Sequence, residues 1–366
     1  MAARKISYHD SVDYWLADPA KVLAQKEGLK TAKNLPFGFK EVKGTRVESA
    51  YVFDMGNMYG ALVQEGLGTK SLIAQSIYDK TGKSFFSAIA QDTVATVIND
   101  LISVGATPVA LNAYWSSSSY KWLADRKLTK DFITGWRFAC DIAKVVWGGG
   151  ETQSLPGIVN EGVLEFAGSA FGIIRPKNQL VSEKKIEPGD AILLLESSGV
   201  HANGISMIRE LAASLKNGYQ TKLKDGSNFG EAVLQPTHIY APFIRDLVSD
   251  VVKIHYLSNI TGHGWRKIMR ANKNFTYKLN NVPRVPEIFN FIAQQSGNND
   301  HQMYSNYNMG AGYAVYLSFT DVKRAQIIAN KNGLNCWIAG RVEDGPRQVI
   351  IEPKNIVFEA ESLNLR

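Results

Sequence analysis

The 366-residue sequence is poor in cysteine, with only Cys140 and Cys336, which excludes a disulfide framework and a thiolate metal centre. Neither cysteine stands at metal-type spacing from the six histidines, so both are expected as small buried apolar residues. Long apolar runs are missing as well. No stretch approaches the ~18 residues that a membrane span needs, and the opening MAARKISYHD carries Arg4 and Lys5 without an apolar leader segment. The expected location is the cytoplasm. Short-period repeats and low-complexity tracts are absent too, and SSSSY at 116–120 reads as a polar loop.

What is present describes a globular chain. Hydrophobic residues at 45% and charged residues at 20% suit a protein with a large core. The length exceeds the roughly 250–300 residues at which a single core stops growing, so two domains are expected. Pro176 in RPKNQ marks the linker, which gives domains at 1–174 and 175–366. The balance of 41 basic against 34 acidic residues, net +7, favours an anionic partner. The stretch from Arg266 to Arg284 holds Arg266, Lys267, Arg270, Lys273, Lys278 and Arg284 without an acid. With Phe275 and Tyr277 interleaved it has features of a nucleic-acid stripe. The alternating FTYKL equally describes an edge strand with one solvated face, and nucleic acid is the less favoured reading.

Strands and helices alternate in both halves. In the first, AYVFD, GALVQ, LIAQSI and PVALNAYW read as strands, with helices near 92–105 and 129–146. The second helix takes Thr129 as its N-cap, carries Phe132, Trp136, Ala139 and Ala143 on one face, and stops in the glycines 148–150. LEFAGSAFGII closes this half as a strand. AILLLES opens the other as a buried strand, followed by the helix GISMIRELAASL with Ile205, Ile208, Leu211, Ala212 and Leu215 aligned. PTHIYAPFIRDLV reads as a helix with Pro236 in its first turn. The strand YAVYLSF, the helix DVKRAQIIANKNG ending at Gly333, and the strands CWIAGRV and QVIIEP complete the chain.

Four segments carry chemistry. In GLGTK, Gly66 and Gly68 let backbone N–H groups turn toward a phosphate and Lys70 adds a point charge, although a tight turn with a surface lysine has the same sequence. In QDTVATVINDLISVGATP, Val94, Val97, Ile98, Leu101 and Ile102 form an apolar helix face, with Asp92, Thr96, Asn99 and Ser103 opposite and Asp100 one step round. Asp92, Asn99 and Asp100 offer oxygen ligands of the kind Mg²⁺ prefers, or merely a solvated face. In GGGETQSLPG, Glu151 supplies a carboxylate beside glycines that permit close approach, or an exposed acid after a helix stop. In ESSGVHANGIS, Ser197, Ser198 and Gly199 suit an anion nest, His201 a donor or proton shuttle, and Asn203 a cap or ligand amide.

The order of GLGTK, DTVATVINDLISVGATP, GGGETQSLPG, SSGVHANGISMIR, LQPTHIY, ITGHG and MYSNYNMGAG closely resembles the aminoimidazole ribonucleotide synthetase (phosphoribosylformylglycinamidine cyclo-ligase) family, as does the opening ISYHDSVD. The resemblance runs from about Ser7 to Glu352. It implies a two-domain α/β protein: an N-terminal mixed sheet with helices that pairs across a homodimer, and a C-terminal α/β sandwich-like domain. It implies ATP and Mg²⁺ as cofactors, and formylglycinamidine ribonucleotide as substrate, closed to an imidazole with release of ADP and phosphate. By the same resemblance, Gly66, Gly68, Thr69 and Lys70 contact the nucleotide, and Asp92, Asp100 and Glu151 hold Mg²⁺ with support from Asn99. Ser198 and Gly199 cradle a phosphate, while His201, Asn203 and Glu151 face the reacting groups. The chain departs from the usual family pattern at Glu65, Ala113, Ser154, Asn259, His263, Gln302 and Ser305, a divergence that falls mainly on substrate contacts. Alternatives are a sibling enzyme of the same fold acting on another acceptor, such as selenophosphate synthetase or thiamine-monophosphate kinase, or a catalytically silent binding protein.

Overall fold

Strict alternation of buried and half-buried side chains along LEFAGSAFGII sets the centre of the first sheet. The structure, a computed structural model, describes residues 14–363, with side chains from residue 19 onward. The ISYHDSVD segment lies outside the described residues. Among those described, β1 (Lys40–Glu41), β2 (Tyr51–Asp54), β3 (Tyr59–Gly66), β4 (Thr107–Ser117), β5 (Val146–Ser154) and β6 (Leu164–Ile174) form one sheet in the order β1-β2-β3-β6-β4-β5. Only the β4–β5 pair is parallel. A second sheet runs β13-β12-β9-β11-β7-β10-β8, built from β7 (Ala191–Glu196), β8 (Ile254–Asn259), β9 (Phe275–Leu279), β10 (Ala311–Leu317), β11 (Cys336–Asp344), β12 (Gln348–Ile351) and β13 (Ile356–Glu359). Strand β10, paired between β7 and β8, is buried along its whole length, as a strand covered on both faces must be.

The helices of the first half are α1 (Tyr14–Lys30), α2 (Lys70–Thr81), α3 (Phe86–Ile102), the short α4 (Lys121–Ala124) and α5 (Arg126–Ala143). Those of the second are α6 (Ile205–Ser214), α7 (Phe229–Val233), α8 (Ala241–Ser249), α9 (Glu287–Ser296), α10 (Asp300–Asn306) and α11 (Phe319–Lys331). The expected apolar stripe of α3 is fully buried and packs on β3, β6 and α5. Each such side chain removed from water contributes about 1.5–3 kcal/mol. Helix α5 buries Phe132 and Trp136 in an aromatic cluster, with the Phe132 and Phe166 ring centroids 4.4 Å apart.

Several local expectations are corrected. LIAQSI lies within helix α2, not a strand: Ile73, Ala74 and Ile77 recur at helical spacing, and Gly82 caps the end with φ 68°. Asp125 rather than Thr129 caps α5, its side chain accepting from the N–H groups of Lys127 and Leu128. Glycines 148–150 do not stop that helix but lie within β5, where a Cβ on Gly150 would sit 2.0 Å from the Ala113 carbonyl oxygen. Pro236 precedes α8 by several residues and belongs to an irregular segment. FTYKL is interior, paired with β11 on one side and β12 on the other. Cys140 is buried as expected, whereas Cys336 is half-buried.

The basic stretch also turns inward. Arg266 donates to the carbonyls of Ser305 and Ser362, Arg270 pairs with Glu48, Lys273 reaches the Ile186 carbonyl and Lys278 pairs with Glu352. These four cations serve the protein's own acceptors.

Candidate functional site

Helix α3 carries its polar residues on the face opposite its apolar stripe, and that face meets the second half of the protein rather than solvent. Asp92 Oδ1 accepts from the Thr237 N–H at 2.8 Å and its hydroxyl at 2.5 Å. Asn99 accepts from the Tyr240 N–H at 3.0 Å and donates to the His238 carbonyl at 2.8 Å. The Ser103 hydroxyl meets that of Tyr313 at 2.7 Å. Asp100 accepts from the Asn259 amide at the end of β8, 2.8 Å away. The polar face that reads as solvated in isolation is therefore the seam between the two sheets' units.

A cavity of about 430 Å³ opens along this seam. The end of β3 supplies Glu65, Gly66 and Leu67, helix α3 supplies Thr96, Asn99 and Asp100, and the turn after β7 supplies His201, Ala202 and Asn203. The opposite wall is Thr237, Asn259, the 261–263 turn and Lys267, with Lys21 of α1 at the edge.

The charges here are unusual. Burial, and next the Asp100 carboxylate, push Glu65 up to about 7. Lys267 is pulled down to about 8, chiefly by burial and then by Arg270, against the opposing pull of Asp100 and Glu65. His263 is pushed down to about 3 by burial and by the Lys267, Arg266 and Arg270 cations. His201 is held well below the ordinary histidine range by burial, His238 and Lys70. It is therefore a neutral imidazole at neutral pH. Its Nε2 accepts from the Ser198 N–H at 3.3 Å, which leaves the ring proton on Nδ1. His201 holds φ 57°, a left-handed conformation costing about 1–3 kcal/mol unless the surroundings impose it. Room for its ring comes from Gly312, where a Cβ would lie 2.5 Å from His201 Cε1 and 2.2 Å from the Tyr240 hydroxyl.

Of the residues singled out in the sequence, Gly66, Asn99, Asp100, His201 and Asn203 come together in the cavity. Others do not. Lys70, read as a phosphate contact, and Asp92, read as a metal ligand, form an ion pair at 2.7 Å with both side chains wholly buried. Lys70 further donates to the Gln235 carbonyl at 3.2 Å, so this pair ties α2 and α3 to the 235–237 segment. Glu151 is exposed on the edge strand β5, outside the cavity lining. Gly68 and Thr69 lie beside the cavity rather than in its wall. The Ser198 hydroxyl donates to the Pro236 carbonyl and the Ser197 hydroxyl to Asn308, so this nest is closed by internal bonds. Gly199, φ 144°, accepts from the Asn308 amide.

Sequence reasoning left Thr237, Thr261 and Lys267 without a site role. Thr237 and Thr261 belong to the LQPTHIY and ITGHG blocks, whose place in the motif order was their signal; Lys267 was absorbed into the basic run. Glu65, Asn259 and His263 stood out only as departures from a pattern. The donors present fit a hard divalent cation: two carboxylates, Glu65 and Asp100, share the cavity with the Thr96 hydroxyl and the Asn259 amide, and no soft ligand lines it.

Comparison with known proteins fits this architecture. Residues 48–174 match the family described as AIR synthase related protein, N-terminal domain, and residues 187–352 its C-terminal domain. Phosphoribosylformylglycinamidine cyclo-ligase of Methanococcus maripaludis is 31% identical over 300 residues, covering 81% of this chain and 81% of the relative. The cyclo-ligase of Pyrococcus furiosus is 34% identical over 307 residues, covering 84% of this chain and 86% of its own. Among solved structures, AaThiL complexed with AMPPCP and TMP superposes with a TM-score of 0.60 at 12% identity, covering 96% of both chains, a likeness of fold. Among the described residues, no helix is long and apolar enough to cross a membrane.

Proposed function

Because the chain belongs to the AIR synthase related family, we propose that it is an ATP-dependent cyclo-ligase that closes formylglycinamidine ribonucleotide to aminoimidazole ribonucleotide in purine biosynthesis, releasing ADP and phosphate. The observation that carries this reading is the seam cavity. It joins a carboxylate pair, a neutral histidine and a buried lysine between the two family-matched halves.

The chemistry asks for such a site. An amide oxygen is a poor leaving group until it is phosphorylated. Once ATP has placed a phosphoryl group on the formyl oxygen, the amidine nitrogen attacks that carbon, the C–O bond breaks and phosphate departs as the ring closes. Most of the catalysis is positioning and neutralisation of phosphate charge. Asp100 and Glu65 would hold Mg²⁺, which supplies charge neutralisation at the nucleotide phosphates. His201 offers its Nδ1–H to the reacting oxygen, and as a neutral ring it stabilises charge as a hydrogen-bond donor rather than as a cation. Asn203 and Asn99 line the same wall; Asn99 also holds α3 to the 238–240 backbone and so fixes where Asp100 stands.

The deciding experiment supplies formylglycinamidine ribonucleotide and Mg·ATP to the purified protein and follows ring-closed product against ADP. Equimolar product and ADP are expected. Robust ATP turnover only with a different acceptor would overturn the substrate while leaving the fold untouched.

The reading extends to architecture. Residues 1–174 and 175–366 are the two domains, and the protein is a homodimer. Edge strand β5, paired among the described residues only with β4, and the neighbouring exposed Phe138, Ile142 and Val146 support such an interface. Sedimentation at working concentration should give twice the chain mass, and a clean monomer would remove this part of the proposal.

A further inference from the structure

Among the described charged side chains that line the cavity, Lys267 combines deep burial with no hydrogen bond or ion pair from its ammonium to protein. It is 8% exposed. Among the described residues its ammonium makes neither a hydrogen bond nor an ion pair with protein, although it lines the same cavity as Glu65 and Asp100. A buried ammonium is costly unless something anionic meets it, so buried lysines are normally paired. The contrast with Lys70 is direct, since that wholly buried lysine has a carboxylate at 2.7 Å.

The backbone around Lys267 is fixed independently of its ammonium. Its carbonyl accepts from the Ser258 hydroxyl at 2.7 Å, and the Trp265 indole N–H binds the Asn308 carbonyl at 2.7 Å. The Ile268 carbonyl accepts from the Tyr316 hydroxyl at 2.5 Å. The turn is thus held by its neighbours on both sides, and the lysine head is presented to the cavity without needing a partner to order it. Such placement is pre-organisation for an anionic ligand.

We propose that Lys267 is the residue that meets a phosphate group bound in this cavity, the role its sequence context gave to Lys70. The inference rests on the reading of the cavity as the site of phosphoryl transfer. A phosphate shared between the carboxylate-held cation and the Lys267 ammonium would have its charge neutralised from two sides, as a loose phosphoryl-transfer transition state requires. Two ligands carry the chemistry: the polyphosphate of the nucleotide and the 5′-phosphate of the ribonucleotide substrate.

Titration calorimetry with adenosine, ADP, AMPPCP and formylglycinamidine ribonucleotide, on wild type and on Lys267→Met, separates them. The expected result is a dissociation constant raised at least about tenfold for one phosphate-bearing class, the usual scale for losing a charge-assisted contact, with adenosine unaffected. Loss confined to ADP and AMPPCP assigns the contact to the nucleotide. Loss confined to the ribonucleotide assigns it to the sugar phosphate. Lys267→Arg, which keeps the charge, should recover part of the affinity. A wild type that binds none of the phosphate ligands would refute the reading of the cavity itself. Unchanged affinities in a folded Lys267→Met, or an equal loss for adenosine, would refute only the role of Lys267. Should Lys267→Met fail to fold, acylation of Lys267 in the wild-type protein, followed by mass spectrometry, gives the same decision. Saturating AMPPCP or ribonucleotide should slow acylation at this lysine severalfold, and an unaltered rate with both would overturn the proposal.

Discussion

Asp92 and Asp100 stand roughly two turns apart on one helix, and nothing in their residue type distinguishes them, yet their surroundings have given them opposite tasks. Around Asp92 every partner is internal: Lys70 at 2.7 Å, the Thr237 N–H at 2.8 Å and the Thr237 hydroxyl. Around Asp100 the described residues supply one amide, from Asn259, then a cavity with a second carboxylate and an ammonium that none of them pairs. One end of α3 is a structural clamp between the two halves, and the other is open for a ligand. A buried charge that the fold satisfies belongs to stability, whereas one that the fold leaves under-satisfied is available for binding.

The strongest way to break this comparison is Lys70→Met, which leaves Asp92 buried without its counter-charge. Removing one partner of a buried pair costs about 3–5 kcal/mol. Equilibrium denaturation should show a loss of this size, and Lys70→Met/Asp92→Leu should recover much of it because no lone charge remains. If Lys70→Met instead unfolds like wild type and loses nucleotide affinity, Lys70 belongs to the site and the clamp reading is wrong.

The second test strikes between the two ends. Gly312→Ala would place a Cβ 2.2 Å from the Tyr240 hydroxyl and 2.5 Å from His201 Cε1. Tyr240 is anchored to the Glu196 carbonyl at 2.6 Å and cannot yield without breaking that bond. Overpacking of this kind costs about 1–3 kcal/mol. Cyclisation should fall further than that loss of stability explains, because His201 is displaced with it. Full activity in a merely destabilised variant would separate His201 from the chemistry.

How much of this was legible in the sequence follows from the same contrast. The apolar stripe of α3 and the alternation of β6 report local periodicity, and periodicity survives folding. The seam could not be read that way. An isolated helix gives no sign that its Asp92–Asn99–Ser103 face will meet Thr237, Tyr240 and Tyr313, distant partners on another unit. For the same reason Lys70 reads as a phosphate contact whereas the structure pairs it with Asp92, and Lys267 reads as one cation in a basic run whereas the structure buries it. LIAQSI reads as a strand because a short apolar segment fits either period, and packing on neighbouring elements decides for the helix. The order of the motifs identified the family; only the three-dimensional arrangement shows which residue of each motif faces the cavity.

The third test sharpens the open end. Asp100→Asn keeps size and hydrogen-bonding capacity, including a carbonyl oxygen for Asn259, and so should unfold within about 0.5 kcal/mol of wild type, as substitutions that spare the core do. It removes a charge that a hard cation at nucleotide phosphates depends on. Turnover should fall at least about tenfold, some 1.4 kcal/mol of transition-state stabilisation, and be partly restored by raising Mg²⁺. The check is a Mg²⁺ titration at fixed ATP beside a melting curve. An unchanged metal dependence in a folded, fully active variant would return Asp100 to a docking role like that of Asp92.

The smallest expected effect comes from a third kind of carboxylate, one whose partner can lose its charge. Asp190 is 2% exposed and accepts from His255 Nδ1 at 2.7 Å, while its other oxygen accepts from the Glu187 N–H. The hydrogen bond to Asp190 raises the pKa of His255 above the ordinary histidine value, against the lowering by burial and with a smaller Coulombic contribution from the same carboxylate. Because the folded pKa is the raised one, protonated His255 stabilises the fold fully below the unfolded value near 6.5. That stabilisation is lost as pH rises through the folded value. It is on the order of 1 kcal/mol, since the neutral ring can still donate from Nδ1 and only the charge-assisted part disappears. Denaturation of wild type and His255→Gln from pH 5.5 to pH 9 should therefore give a gap that is widest at the acid end and narrows with rising pH. A gap for His255→Gln that is flat over this range would mean that protonation plays no part in holding Asp190, and that the histidine contributes only its packing and the hydrogen bond of its neutral ring.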